Sequence, residues 1–262
     1  MLNQRLEPKP VREPAPIRLL SRYFRSLYQR TTHKAYDTAY ARIAATIDSH
    51  SVVLDCGASG GWTFDALSKR CRIKPEQYRG IERDIRCVED GRKRGLNIAL
   101  GDLDRGIPHE SGIFSCVCAL STLEHLLNPC RFLRDCHRVL RPGGQLVLLT
   151  PNISTYFTAV LILAGKMPSS GPHPDSDDLL KREEVFKVSS EALKLDTEAE
   201  APVHRHLVVF SFRVLRDYLR MIGFSNVIGY GFGLYPFPNC MQPVLERLDP
   251  YHCHQMVFVA AK

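Results

Sequence analysis

A glycine-rich segment and an acidic residue downstream of it are the features of this sequence best suited to binding a small ligand. A β-type run at residues 51–55 stops at the glycine cluster of residues 56–61, and a helical pattern begins at Trp62. A glycine-rich turn lets the main chain approach a ligand closely. Glu82 follows at the end of the second predicted strand, at the spacing where such folds place a carboxylate on the two hydroxyls of a ribose. The pair therefore indicates a ligand that contains a nucleoside.

The spacing of the glycines separates two kinds of nucleoside ligand. A dinucleotide and S-adenosylmethionine would both use a glycine loop followed by an acid. The dinucleotide fingerprint requires the pattern G-x-G-x-x-G, but a register that begins at Gly57 places Ser59 and Trp62 at the second and third glycine positions. Trp62 is too bulky for the close helix–strand packing that the third glycine allows. The loop therefore argues against nicotinamide chemistry.

The segments around the loop alternate between strand and helix patterns. Strands are predicted at residues 51–55, 78–82, 97–100, 114–120, 145–150, 226–230 and 255–260, and helices at 62–70, 85–94, 129–140 and 212–222. The continuous apolar run at 114–120 is typical of a strand buried on both faces. This alternation predicts a Rossmann-like α/β fold with seven mostly parallel strands and helices on both faces. Ligands on such sheets bind at the carboxyl ends of the strands.

Three further segments flank or interrupt this pattern. Four prolines in residues 1–16 predict a flexible leader, and residues 17–262 are predicted to form a single domain. Apolar residues recur every three or four positions over residues 17–48, which predicts an N-terminal cap of two amphipathic helices. Residues 151–203 break the rhythm and are predicted to form an insertion after the fifth strand that serves as a lid. The apolar helix of this insertion, residues 156–164, either lines a hydrophobic pocket or belongs to the core.

Composition limits the location of the chain and the partners available to it. The 262 residues are 44% hydrophobic, enough for a substantial core, but no window approaches the roughly 18 apolar residues of a membrane span. The N-terminus lacks the apolar stretch of a secretion signal, and the odd number of cysteines, nine, favours reduced thiols. We therefore predict a cytoplasmic location without an integral membrane segment. Of the net charge of +7, part lies in residues 1–34, which either form a solvated face or contact an anionic surface or RNA weakly.

Several motifs together resemble one enzyme family. Residues 53–61, VLDCGASGG, resemble motif I of class I S-adenosylmethionine-dependent methyltransferases. Residues 101–103, 114–120, 121–126 and 138–144 resemble the later motifs of that family in the correct order. Residues 206–224 look like the acceptor-side segment of the methyltransferase type 11 branch, which includes the ubiquinone-biosynthesis and methionine-W-like enzymes. On these motifs the chain is identified as a member of class I, with S-adenosyl-L-methionine as its cofactor.

The resemblance implies a role for the residues at the ends of the first three strands. Asp55 and Gly57 would lie under the methionine part of the cofactor, and Glu82 would bind the ribose hydroxyls. Asp102 and Leu103 would flank the adenine. The other cofactor contacts predicted in these loops are Ala58, Ser59, Gly61 and Arg83.

At the fourth strand, Leu120 and Ser121 would border the sulfonium. The sequence departs from the family pattern in two places. Ser59 stands where the family usually has its central glycine, and Ser115 replaces a frequent aspartate. The first departure concerns the cofactor loop, and the second concerns local structure in the strand.

Two histidines are the candidate catalytic residues. Methyl transfer from a sulfonium is an in-line displacement, so a base is needed only if the acceptor must lose a proton. His125 follows the fourth strand and His206 precedes the helix at 212–222, and an imidazole suits a hydroxyl or amine acceptor. Structural hydrogen bonding is the alternative role for both. The branch resemblance implies a small-molecule, lipid-linked or glycan-linked acceptor; RNA methylation, or cofactor binding in a regulatory protein without turnover, are the alternatives.

Two histidine pairs raise the question of a metal. His204 with His206, and His252 with His254, each place two imidazoles at alternate positions on one face of a strand. A structural zinc site needs four converging ligands, and residues 251–262 are adequately explained as an edge strand. No metal site is therefore predicted, and the oligomeric state is left open.

Overall fold

The computed structural model describes residues 15–168, 170–173 and 205–262. The helices are α1 (Ala15–Ala44), α2 (Trp62–Ser68), α3 (Ile85–Lys93), α4 (Pro129–Val139), α5 (Tyr156–Leu163), α6 (Phe212–Met221) and α7 (Gln242–Leu248). The strands are β1 (Val53–Cys56), β2 (Tyr78–Glu82), β3 (Asn97–Leu100), β4 (Phe114–Leu120), β5 (Leu140–Pro151), β6 (Ser225–Phe232) and β7 (Gln255–Ala261). Most of the predicted leader, most of the predicted lid and His204 lie outside the described residues. None of the described helices is both long and apolar enough to cross a bilayer.

The seven strands form one sheet in the order β3-β2-β1-β4-β5-β7-β6. The first five strands run parallel, and β7 runs antiparallel to both of its neighbours, β5 and β6. The predicted Rossmann-like, mostly parallel sheet is therefore confirmed. Because β3, β2, β1 and β4 are adjacent parallel strands, the loops that follow them emerge side by side at one edge of the sheet.

The position of the last strand differs from the prediction. Residues 251–262 were expected to form an edge strand, but β7 pairs with β5 on one side and with β6 on the other. Its residues Met256, Val257 and Phe258 are fully buried or nearly so. A strand with apolar residues on both faces is typical of a sheet interior.

The two faces of the sheet carry separate hydrophobic cores. In β4, Val117 and Ala119 belong to the core that packs against α4 and α6. Cys116 and Cys118, which alternate with them, belong to the core that packs against α1, α2 and α3. Since successive side chains of a strand point to opposite faces, the apolar run of β4 supplies both cores.

The N-terminal segment forms one helix, not the two amphipathic helices that the sequence predicts. Helix α1 runs without a break from Ala15 to Ala44. Its buried stripe continues through Thr31, Ala35 and Ala39, which are at most 5% exposed. These small residues do not stand out in an apolar pattern, which therefore shows a gap between Leu27 and Tyr36 that resembles a break between two helices. They let the helix lie close against β4, β5, β6 and β7, over one face of the sheet.

The loop between β1 and α2 contains a serine in a glycine-like conformation. Ser59 has a φ of 48°, and Gly61 next to α2 has a φ of 94°. The left-handed region costs a residue with a Cβ about 1–2 kcal/mol. Ser59, at the position where the family usually has a glycine, therefore has a strained main-chain conformation. The main-chain N–H of Ser59 donates to the carboxylate of Glu82 at 2.7 Å, which holds the loop in this form.

Beneath this loop the carboxyl group of Asp55 is buried. Asp55 is 1% exposed, and its Oδ2 accepts a hydrogen bond from the hydroxyl of the fully buried Tyr78 at 2.6 Å. The Cys118 thiol donates to Oδ1 at 3.5 Å. Burial raises the pKa of Asp55, and these donors counteract the rise. The side chain thus ties β1 to β2 and β4 below the glycine loop.

Replacing Ser59 by glycine should stabilise the protein. The substitution Ser59→Gly removes the strain of about 1–2 kcal/mol at this φ and adds about 0.5–1 kcal/mol of chain entropy to the unfolded state. We expect a net gain of about 0–1.5 kcal/mol in the free energy of unfolding, measured by urea denaturation. Ser111→Gly, at an exposed serine without a positive φ, is the control and should bring no gain. Equal effects of the two variants would contradict the strain.

Removing the hydroxyl of Tyr78 should destabilise the fold. Tyr78→Phe leaves the buried carboxyl of Asp55 without its shortest hydrogen bond, and a buried polar group that loses its partner costs about 1–3 kcal/mol. The matched control is Tyr230→Phe, since the Tyr230 hydroxyl accepts from Arg42 at 2.7 Å near the surface and such changes stay within about 0.5 kcal/mol. Urea denaturation of both variants measures the loss in free energy of unfolding. Similar losses in the two variants would show that the Tyr78 hydroxyl is not needed to stabilise the buried carboxyl of Asp55.

Candidate active site

The loops after the parallel strands are joined to each other by main-chain hydrogen bonds. The N–H groups of Gly57 and Ala58 donate to the carbonyl of Ile81 at 2.9 and 3.1 Å, which fixes the glycine loop to the end of β2. The N–H of Gly101 donates to the carbonyl of Glu82 at 2.9 Å, which fixes the end of β3. The residues predicted to contact the cofactor follow or end β1, β2, β3 and β4, so the fold places them along one edge.

Glu82 ends β2 with a half-buried carboxylate that the main chain orients. Its Oε1 accepts from the N–H groups of Arg83 and Asp84 at 2.7 and 2.9 Å, and its Oε2 accepts from Ser59 at 2.7 Å. A carboxylate offers about four acceptor positions, so acceptor capacity remains on Oε2. Glu82 forms no ion pair with any described residue. The carboxylate therefore fits a ligand that offers hydroxyl donors, as a ribose does.

The end of β3 supplies one polar and one apolar residue. Asp102 accepts from the N–H of Asp104 at 3.0 Å and faces Arg105 at 3.5 Å. Leu103 is only 7% exposed and belongs to the core. Arg83, after β2, is exposed. A half-exposed carboxylate beside an apolar side chain is the kind of surface that would flank a heteroaromatic ring.

The residues nearest the centre of the edge are packed tightly. Gly57 has a φ of 83°, and a Cβ there would collide with the side chain of Thr122. The Thr122 hydroxyl in turn donates to the carbonyl of Cys56 at 3.0 Å. Asp55 and Leu120 are buried beside this contact. The glycine loop and the end of β4 thus meet through the Thr122 side chain, which packs directly against the main chain of Gly57.

The end of β4 connects to helix α1. Ser121 has a φ of 54° and donates its N–H to the carbonyl of Leu149 at 2.8 Å. Its hydroxyl accepts a hydrogen bond from the Tyr36 hydroxyl at 2.9 Å. Burial raises the pKa of Tyr36, so this tyrosine stays protonated near neutral pH. Helix α1 therefore covers the predicted sulfonium side of the edge with a neutral phenol.

A buried carboxyl group lies three residues beyond Ser121. Glu124 is 2% exposed, and its Oε2 accepts from the Thr150 hydroxyl near the end of β5 at 2.9 Å. Burial raises its pKa, and the nearby His206 opposes the rise. Its main-chain carbonyl accepts from the N–H of Leu207 at 2.7 Å. Glu124 therefore joins the end of the sheet to the segment that carries His206.

The structure brings the two predicted catalytic histidines together. The rings of His125 and His206 have centroids 5.1 Å apart, and the ring of His173 stacks on His206 at 5.0 Å. Nδ1 of His125 contacts the carbonyl of Arg205 at 3.0 Å, and Nδ1 of His206 contacts the carbonyl of Ser170. A carbonyl only accepts, so both rings donate from Nδ1 and carry the lone pair on Nε2.

Burial favours the neutral form of two imidazoles in this region, those of His206 and His254. It lowers the pKa of His206, while Glu124 counteracts the fall. His254, which touches the rings of Tyr28 and Tyr235, has its pKa lowered to about 4 by burial. Neutral imidazoles can accept a proton or donate a lone pair to a metal. Burial thus keeps His206 and His254 uncharged near pH 7.

Several residues of this region were missed by sequence reasoning. Tyr36 was assigned only to a helical stripe, and Glu124 only to a motif, although an acid within the apolar run 123–126 was a usable signal. His254 was considered together with His252. In the structure they separate, because His252 contacts Asp249 at 2.8 Å and stacks on Tyr156, whereas His254 lies against Tyr28.

Comparison with known proteins identifies the family. The model of a family described as a methyltransferase domain matches residues 28–228, more than half of the chain. Among curated relatives, the chain is 32% identical over 104 residues to an uncharacterized protein in transposon TN4556 of Streptomyces fradiae, covering 38% of this chain and 30% of that protein. It is 32% identical over 106 residues to a ubiquinone biosynthesis O-methyltransferase of Pseudomonas paraeruginosa, covering 38% and 44%. The chain thus spans less than half the length of these relatives.

Solved structures support the same fold. A crystal structure from Thermotoga maritima, described as a SAM-dependent methyltransferase and possible histamine N-methyltransferase, matches 94% of this chain and 97% of that chain. The TM-score is 0.54 at 17% identity, a likeness that shows the shared fold. Together with the motifs and the family model, it shows that the chain belongs to the methyltransferase domain family, the class I S-adenosylmethionine-dependent methyltransferases, and that its cofactor is S-adenosylmethionine.

Proposed function

We propose that the chain transfers a methyl group from S-adenosylmethionine to a hydroxyl oxygen of a small-molecule, lipid-linked or glycan-linked acceptor. The observation that carries the proposal is the meeting of His125, His206 and the buried Glu124 beside the end of β4. Burial lowers the pKa of His206, and a neutral imidazole at that point suits an acceptor that must lose a proton. The relative named as an O-methyltransferase supports oxygen as the accepting atom. A cytoplasmic location is part of the proposal.

The edge of the sheet would contact the nucleoside end and the sulfonium end of the cofactor with different residues. Glu82 would accept hydrogen bonds from the ribose hydroxyls, and Asp102 with Leu103 would flank the adenine. When bound, S-adenosylmethionine supplies a methyl group on a positively charged sulfur. Ser121, held by Tyr36, would line that end. The chain's own contribution is to align the acceptor with the methyl group, since alignment can supply several kcal/mol of the barrier reduction.

The acceptor side would handle a proton and exclude water. The transfer forms one oxygen–carbon bond and breaks one sulfur–carbon bond, whose electron pair stays on sulfur. The hydroxyl proton must leave the acceptor, and Nε2 of His125 or His206 carries the lone pair that could receive it. Tyr36 of α1, which is half-buried and donates to the hydroxyl of Ser121 at 2.9 Å, would shield this side.

An exposed apolar surface on helix α5 supports lipid-linked acceptors. Helix α5 follows β5 and buries Leu161, but Val160, Ile162 and Leu163 are 62%, 55% and 89% exposed among the described residues. The helix therefore contributes little to the core through these three side chains. An acceptor with an apolar tail would gain about 25 cal/mol for each Å² of apolar surface it covers there.

Loss of the Glu82 carboxylate should weaken cofactor binding. Calorimetric titration of S-adenosylhomocysteine into Glu82→Ala should give a Kd about 10- to 100-fold above that of the wild type. The reason is that a hydrogen bond to a charged group contributes about 1.5–3 kcal/mol, and 1.4 kcal/mol corresponds to a factor of 10.

The control for this titration is Glu89→Ala, an exposed glutamate on α3. It should bind with the affinity of the wild type. If folded wild-type protein does not bind S-adenosylhomocysteine, the cofactor assignment fails. If Glu82→Ala binds as well as Glu89→Ala, the ribose contact is wrong although the cofactor is right.

Loss of the His206 imidazole should impair turnover more than cofactor binding. We expect His206→Ala to lower kcat by about 100-fold or more, the usual contribution of a proton-transfer group, while the Kd for S-adenosylhomocysteine changes little. The measurement is release of S-adenosylhomocysteine with a panel of phenols, catechols and lipid-linked phenols, each paired with the matching amine.

His50→Ala, an exposed histidine after α1, is the control and should keep full turnover. Turnover of the amines alone would overturn oxygen as the accepting atom. Full turnover by His206→Ala would remove His206 from the catalytic machinery and leave alignment as its only remaining contribution.

A further inference from the structure

One group of side chains on the acceptor side has the composition of a metal centre. Glu124, His125 and His206 each offer one ligand atom, and these atoms lie within 4.8 Å of one another. Two come from adjacent residues after β4, and the third comes from a segment that the main chain of Glu124 holds in place at 2.7 Å. Two imidazoles and one carboxylate are a common ligand set for catalytic zinc and for other divalent transition metals.

The atoms behind these ligands are arranged as they are around metals. Both histidines bond through Nδ1 to main-chain carbonyls, His125 to Arg205 at 3.0 Å and His206 to Ser170. Metal-binding histidines almost always donate their second ring nitrogen in this way, which fixes the tautomer and the direction of the ring. The carboxylate of Glu124 is likewise held, by the Thr150 hydroxyl at 2.9 Å. Each of the three side chains is thus held by a hydrogen bond from behind. A pair of residues that only transfers a proton would not require a third side chain oriented in this way.

We infer that Glu124, His125 and His206 bind a divalent transition-metal ion of the zinc type, with positions left open for the hydroxyl of the acceptor. The inference rests on the proposed function and specifies how the acceptor is activated. Bond lengths of about 2.0 Å to nitrogen and oxygen place tetrahedral ligand atoms about 3.3 Å apart. The side chains would therefore close by up to about 1.5 Å around the ion, which rotation of the two rings and the carboxylate can provide.

The ion would supply the activation that a free imidazole supplies poorly. Zinc lowers the pKa of bound water from 15.7 to about 7, and a hydroxyl on the same ion is acidified in the same sense. The acceptor proton would pass to solvent, its oxygen would bond to the methyl carbon, and the sulfur–carbon bond would break with its electron pair left on sulfur. No oxidant or reductant enters the reaction. Acceptors with two adjacent oxygens, such as catechols, would occupy two open positions and bind best.

The experiment is metal titration of the full chain after removal of metal with a chelator. Zn²⁺ is titrated in competition with a chromophoric chelator, and Co²⁺ is followed by its visible absorption, which reports the ligand set without reference to activity. The wild type should bind close to one equivalent. His206→Ala and Glu124→Gln should bind at least tenfold more weakly and lose the Co²⁺ spectrum, because each removes or neutralises a ligand.

Two control variants separate this site from adventitious binding. His50→Ala and Cys240→Ser replace an exposed histidine and an exposed cysteine, and both should bind like the wild type. If binding is lost in Cys240→Ser, or is equal in wild type and His206→Ala, the metal site is wrong. If His206→Ala fails to fold, His125→Asn takes its place under the same criteria.

The titration with S-adenosylhomocysteine distinguishes this inference from the proposed function, because cofactor binding does not require the ion. A chain that binds S-adenosylhomocysteine but no Zn²⁺ would overturn the metal site and retain the methyltransferase with His206 as its base. A chain that binds neither would overturn both. Binding of both, with Zn²⁺ raising turnover of catechols above that of simple phenols, is the expected result.

Discussion

The hydrogen bonds that join neighbouring loops at the carboxyl ends of the parallel strands are the constraint on which the site depends. Main-chain donors of the β1 loop bond to the end of β2, those of β3 to β2, and those of β4 to β5. At the edge of a parallel sheet the last carbonyls have no strand partner, so the loops must satisfy them or expose them. Here the loops do so for each other. A ligand-binding surface made of several separate segments thereby acquires one fixed shape.

Two carboxyl groups divide this surface into halves with different electrostatics. Glu82 is half-buried, and three main-chain N–H groups donate to its carboxylate and orient it. Glu124 is buried, and its charge is opposed by desolvation and supported by His206. The first arrangement suits neutral hydroxyl donors of a nucleoside. The second suits a cation or a proton in transit. Both residues are glutamates, so the difference between the two halves of the surface comes from their surroundings.

Helix α1 completes the acceptor half because of its small buried residues. Thr31, Ala35 and Ala39 allow the helix to lie against the sheet, and Tyr36 on the same helix then reaches Ser121. Larger residues on that stripe would lift the helix and its tyrosines away from the end of β4. The wide contact of α1 with β4, β5, β6 and β7 therefore positions the Tyr36 hydroxyl at the end of β4.

The sequence by itself determined the features that arise from short-range patterns. The glycine cluster before Trp62, the acid at Glu82 and the apolar run of β4 each follow from a few consecutive residues, and parallel connections then place their loops at one edge. The tertiary structure alone decided the rest. The interior place of β7 depends on pairing with β5 and β6, and the meeting of His125 with the main chain of Arg205 joins residues 80 positions apart. Such contacts depend on which elements pack together, and packing is a property of the whole core that a local pattern does not encode.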